Sequence, residues 1–120
     1  DIVDPRIINI HIDFTAVVDY SQDRFEALNV AITEIQKMFR EKMDINQPIY
    51  ITKIYDVLNN LEEIVDVTNV KITNKSGGLH SDEALNLRPW TSADGRILYA
   101  PQNVIYELRF PNTDIRGTIK

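Results

Sequence analysis

The longest periodic pattern in the chain runs from Ser21 to Met43, where Phe25, Leu28, Ala31, Ile32, Ile35, Met38, Phe39 and Met43 return at steps of three and four. Side chains spaced in this way share one face of a helix. Asp23, Arg24, Glu26, Gln36, Lys37, Arg40 and Glu41 fall largely on the other side, so the pattern predicts a long helix with one stripe on a core and the other in water. Ser21 is the predicted N-cap, its hydroxyl accepting from a backbone N–H that the first turn leaves unpaired.

Ahead of this helix, Arg6 to Tyr20 alternates. Ile8, Ile10, Ile12, Phe14, Ala16, Val18 and Tyr20 fall on one side and Asn9, His11, Asp13, Thr15 and Asp19 on the other. Period two predicts a strand with its even face buried under the helix and its odd face wet or held against a partner. Fifteen residues exceed the usual strand of about 5–6, so a bend or bulge is expected near Ala16 to Asp19.

Pro48 biases Gln47 away from helical geometry and separates the first helix from a second, which is predicted to start at Thr52 as N-cap and end near Leu61 or Glu62. Val65 to Thr73, rich in β-branched residues, reads as a strand. Lys75-Ser76-Gly77-Gly78 is turn chemistry, and Leu79 to Gly95 holds no sustained period. Asp94-Gly95 predicts a tight turn into a short strand at Arg96 to Tyr99, and Val104 to Phe110 alternates as a further strand. Asn112 to Lys120 carries only Ile115 and Ile119 as large apolar residues, so residues 111–120 are expected to form a mobile terminus or an arm that adds to another subunit.

Together these elements predict an α+β, two-layer domain spanning residues 1–120, with two helices on one face of an antiparallel or mixed sheet built from residues 6–20, 65–73, 96–99 and 104–110. At 120 residues the chain is long enough for one core without a staple. It has no cysteine, which excludes disulfides and thiolate metal sites. Its net charge of -5, with Lys and Arg dispersed, argues against nucleic acid and anionic membranes as partners. No apolar run approaches the roughly 20 residues of a membrane helix. The opening Asp1-Ile2-Val3-Asp4-Pro5, without methionine, suggests a segment of a longer protein.

Candidate chemistry is sparse. His80-Ser81-Asp82 holds the residue types of a nucleophilic triad, but such triads converge in space rather than along the chain, and a polar loop is the favoured reading. His11 alone on a polar strand face lacks the converging donors a metal needs. Gly77-Gly78 lacks the spacing and lysine of a phosphate loop, Asn74-Lys75-Ser76 matters as a glycosylation acceptor only in a secreted protein, and Glu62, Glu63 and Asp66 read as a solvated helix end. No catalytic residue, cofactor, metal or small-molecule substrate is expected. Arg88-Pro89-Trp90 stands out, because Trp and Arg are frequent interface anchors; Trp90 is either such an anchor or a lid over the domain's own core.

The order strand, long helix, short helix, strand, with the spellings of Ala31 to Ile72, resembles the C-terminal region of baseplate J-like proteins of contractile phage tails. The resemblance rests on a long helix, then an element like Pro48-Ile49-Tyr50-Ile51-Thr52-Lys53-Ile54, then one like Leu61-Glu62-Glu63-Ile64-Val65-Asp66-Val67 leading into a strand. Family members commonly have Gly-Val where this chain has Asp66-Val67. The resemblance covers about the middle third of the chain and implies a non-enzymatic structural protein of the virion, made in the host cytoplasm. It also implies self-association as a homodimer and contacts with other baseplate wedge subunits. The contact surfaces expected are the odd face of the first strand (Asn9, His11, Asp13, Thr15), the segment with Arg88 and Trp90, and the terminal arm with Ile115 and Ile119. The alternative is a non-catalytic binding module of a larger enzyme, with residues 79–95 as its binding loop; a hydrolase built on His80 is a remoter one.

Overall fold

A computed structural model describes residues 4–120. Its central element is β1 (Arg6–Val17), followed by α1 (Arg24–Met38), β2 (Ile49–Tyr50), α2 (Ile51–Asn59), β3 (Asp66–Lys75), β4 (Ile97–Leu98), β5 (Val104–Glu107) and β6 (Ile115–Ile119). The architecture is α+β: two helices, a four-stranded mixed sheet and a separate two-stranded sheet.

Every strand of the main sheet pairs with β1. On one edge β3 runs antiparallel, with its register slipping between Thr15 and Ala16, so the bulge falls at the start of the predicted bend. On the other edge β5 pairs with Arg6 to Asn9 and β6 with Ile12 to Ala16, both parallel to β1 and in tandem along it.

The even face of β1 is the centre of the core. Ile8, Ile10, Ile12 and Ala16 are fully buried with Phe14 beside them, and they join Ala27, Ala31 and Ile35 of α1 and Ile54 and Leu58 of α2 in one cluster. Burying large apolar side chains contributes about 1.5–3 kcal/mol each. Tyr20 departs from the expected face and is 97 % exposed, because the strand has already ended at Val17.

Several boundaries differ from the pattern, each for a local reason. The cap of α1 is Asp23 rather than Ser21; its carboxylate accepts from the backbone N–H of Phe25 (2.9 Å) and Glu26 (3.3 Å), and an anion at a helix N-terminus is also favoured by the helix dipole. Ser21 instead donates its own N–H to Asp19. The helix stops at Met38, yet Phe39 and Met43 still pack on the core, so the apolar repeat continues through irregular chain. The second helix opens at Ile51 with no side-chain cap; the N–H groups of Ile51 and Thr52 donate to the carbonyl of Arg96, a partner distant in sequence. Residues 97–98 do not join the main sheet but pair with Ile49–Tyr50, a strand the pattern did not announce.

The largest correction concerns the C-terminus. Residues 115–119 form β6 in the chain's own sheet, so the expected mobile arm reaching another subunit is not what the structure shows. Ile115 is buried, Ile119 packs on the core half-buried, and Gly117 lies opposite Phe14. A Cβ on Gly117 would meet the Phe14 ring and stand 2.5 Å from Leu28 Cδ1, so only glycine lets the strand pass there.

Candidate functional site

The odd face of β1 divides into a sealed half and an open half. At the sealed half, Asn9 is fully buried and every polar atom of its side chain is used: Nδ2 donates to Glu107 Oε1 at 2.8 Å and Oδ1 accepts the Ser81 N–H at 2.7 Å. Its carbonyl accepts from Asn74 Nδ2 at 2.8 Å, while Asn74 Oδ1 accepts the Leu85 N–H. These bonds draw residues 81–85 over the end of the sheet, and Leu87 then enters the core. Arg6 ties the same strap from its other side through Glu83 and the Ala84 carbonyl.

Next along the strand, His11 is buried, its Nε2 lying 3.4 Å from Asp13 Oδ1 and its Nδ1 3.8 Å from Asp114 Oδ1. Nδ1 has no hydrogen-bond partner among the described residues. Asp114, also buried, holds His80 Nε2 at 2.8 Å and accepts the Phe110 N–H at 3.3 Å through the same oxygen. The Phe110 ring meets His80 edge-on at 5.1 Å. Asp114 thus fastens the 76–87 strap and the 108–114 loop onto the sheet, since a buried carboxylate is tolerated where it is hydrogen-bonded and paired.

This cluster corrects one expectation. Asn9 and His11 do not lie on a free surface, because the strap and Asp114 cover them. His80, Ser81 and Asp82 lie in irregular chain and do not converge: His80 bonds to Asp114, while the Ser81 hydroxyl accepts from the Glu83 N–H. Among the described residues no group of three or more His, Asp or Glu side chains is arranged to hold a metal ion. Glu62 and Asp66 are exposed and Glu63 is half-buried.

At the open half, Asp13 and Thr15 remain partly accessible, with Lys71 and Arg116 flanking Asp13 in the register. A second open surface is the small sheet with the segments beside it. Arg88 to Trp90 form a single 3-10 turn, and Trp90 is 37 % exposed. Its carbonyl accepts the N–H of Tyr99, which is 50 % exposed, and Thr91 bridges to Leu98. Tyr50, 43 % exposed, lies on the neighbouring strand with the Lys53 ammonium 5.2 Å from its ring centre. Three partly exposed aromatic residues are therefore gathered at the small sheet: Tyr50 within it, and Trp90 and Tyr99 in the segments beside it. Tyr50 and Tyr99 were not legible as site residues, because their exposure depends on a pairing between residues 49–50 and 97–98.

The turn supporting this sheet is built from Ser92, Asp94 and Gly95. Ser92 Oγ donates to Asp94 at 2.6 Å and accepts the N–H groups of Arg96 and Ile97, and Gly95 takes a positive φ of 73°. The Ser92 hydroxyl, and then the Arg96 N–H, hold the Asp94 carboxyl below its ordinary value. Beneath the sheet, the Tyr106 hydroxyl donates to the Tyr99 carbonyl at 2.6 Å, and burial pushes its pKa up to about 12.

Comparison with protein-family models gives no match, and comparison with curated proteins gives none either. Among the described residues no helix is long and apolar enough to cross a membrane.

Proposed function

We propose that this chain is a structural, non-catalytic contact domain of a contractile phage tail baseplate, a wedge subunit of the T-even type. In this reading it self-associates as a homodimer and holds neighbouring wedge subunits within the virion. The reading starts from the resemblance of residues 31–72 to baseplate J-like proteins. The observation that carries it is the exposed aromatic set Tyr50, Trp90 and Tyr99. Large rings with a polar edge, rimmed by Arg88 and Lys53, have the composition of interface anchors, and leaving them in water costs apolar burial that a partner would recover. The shape agrees: extents of 58 × 30 × 21 Å give a thin, long slab with much surface for neighbours.

With Asn9, His11 and Ile115 buried inside the chain, the contact surface contracts to Arg88, Trp90 and the two tyrosines, with Asp13 and Thr15 as a secondary face. Sedimentation velocity across a concentration series tests the proposal. A reversible dimer is expected, and a strict monomer at the highest concentration would contradict it. A second reading, a non-catalytic binding module using residues 79–95, is favoured by the groove that Leu85 to Arg88 wall off beside β3.

A further inference from the structure

The outer edge of β3 is open. β1 lies on one side of it and, among the described residues, no strand lies on the other. The Val70 N–H points away from β1, since it donates to the Tyr55 hydroxyl at 3.0 Å. In an antiparallel ladder the main chain alternates in direction, so Ile72 and Asn74, two and four residues on, also present their N–H and C=O groups outward. Among the described residues no group bonds to these outward groups; Asn74 makes its bonds to Asn9, Lys75 and Leu85 with its side chain. Residues 72–74 are only half-buried.

A groove of about 680 Å³ runs along this edge. Its apolar wall comes from Ile51, Leu85, Leu87 and Leu98, and its only charged lining residues are Lys71 and Arg88. Neither makes an ion pair among the described residues, and both are exposed. In a chain of net charge -5 the groove is therefore a cationic site. A second copy of β3 fits poorly, because it would bring its own Lys71 and Lys75 to a cationic groove while its one acidic residue, Asp66, lies at the far end of the strand.

We infer that this groove takes an extended, acidic segment of a different protein chain, which adds as a further strand to the β3 edge. Ile72 and Asn74 bond its main chain, the apolar wall receives alternate β-branched side chains, and Lys71 and Arg88 pair with its carboxylates. The inference deepens the second reading of this groove and shares only Arg88 with the baseplate contact surface, so loss of peptide binding and loss of dimerisation are read separately.

The probe is a blocked, fluorescein-labelled peptide of alternating Glu and Val, with a Lys-Val peptide as control, followed by fluorescence anisotropy and amide hydrogen exchange. The Glu-Val peptide should bind in preference to the control and slow exchange of the Ile72 and Asn74 amides. The double charge reversal Lys71→Glu with Arg88→Glu, both at exposed positions, should weaken it by at least about tenfold and favour the control. No binding at about 1 mM peptide would overturn the inference. So would binding indifferent to the charge reversal, protection that maps elsewhere, or protection of Ile72 by self-association without peptide.

Discussion

The strap end of β1 and the small sheet at Tyr50 and Trp90 are opposites in energetic design. At the strap, Asn9 turns its amide inward to Glu107 and the Ser81 N–H, and Asp114 turns its carboxylate to His80. At the small sheet, polar bonds run between backbone groups and a buried tyrosine hydroxyl, and the aromatic faces are left outside. A loop's side chains can hold it down or offer a surface. The strap does the first, and residues 88–99 do both, Ser92 and Asp94 pinning the turn while Trp90 and Tyr99 stay exposed.

The comparison predicts that substitutions at the strap destabilise and those at the small sheet do not. The largest effect belongs to Asn9→Leu, which strands the Ser81 N–H and Glu107 in a buried site. A loss of about 2–4 kcal/mol is expected in urea unfolding, and a loss below 1 kcal/mol would mean that water replaces the amide freely. Asp114→Ala removes the acceptor shared by His80 and the Phe110 N–H and should cost about 1.5–3 kcal/mol, with faster proteolysis of residues 76–87 as a local sign. An unchanged proteolytic pattern would show that the strap is held by Asn9 and Arg6 alone.

Smaller effects come from the support beneath the aromatic sheet. The pKa of Tyr106 is raised from 10 to about 12 in the fold, so its neutral form is favoured there. The associated stability is fully present below pH 10 and is lost as pH rises toward 12, and denaturant midpoints should fall in that window. Tyr106→Phe should remove most of that slope. The smallest effect on stability, within about 0.5 kcal/mol, is expected for Trp90→Ala, since Trp90 lies outside the buried core cluster. A Trp90→Ala chain that unfolds would instead place the ring in the core.

Legibility in the sequence followed the range of the interactions. The even face of β1 and the stripe of α1 were readable because period two and period 3.6 are local. The bulge was readable because an alternating run of fifteen residues outlasts ordinary strands. The cap at Ile51 was not, because its acceptor is Arg96, and β6 was not, because Ile115 to Ile119 is short and its glycine is explained only by the Phe14 ring opposite. Asn9 and His11 were placed on the correct face of the strand, but alternation gives a direction and not a cover. What covers them arrives from residues 80–83 and 114, far along the chain.

Trp90 is the sole tryptophan, so its emission reports directly on whether this surface is covered in a dimer. Followed over a dilution series alongside sedimentation, the emission maximum should move to shorter wavelength as the dimer forms, with Tyr99→Ala weakening both changes together. A dimer that forms with the emission unchanged, or an emission that never moves because the chain stays monomeric, would contradict the assignment of this surface as the contact.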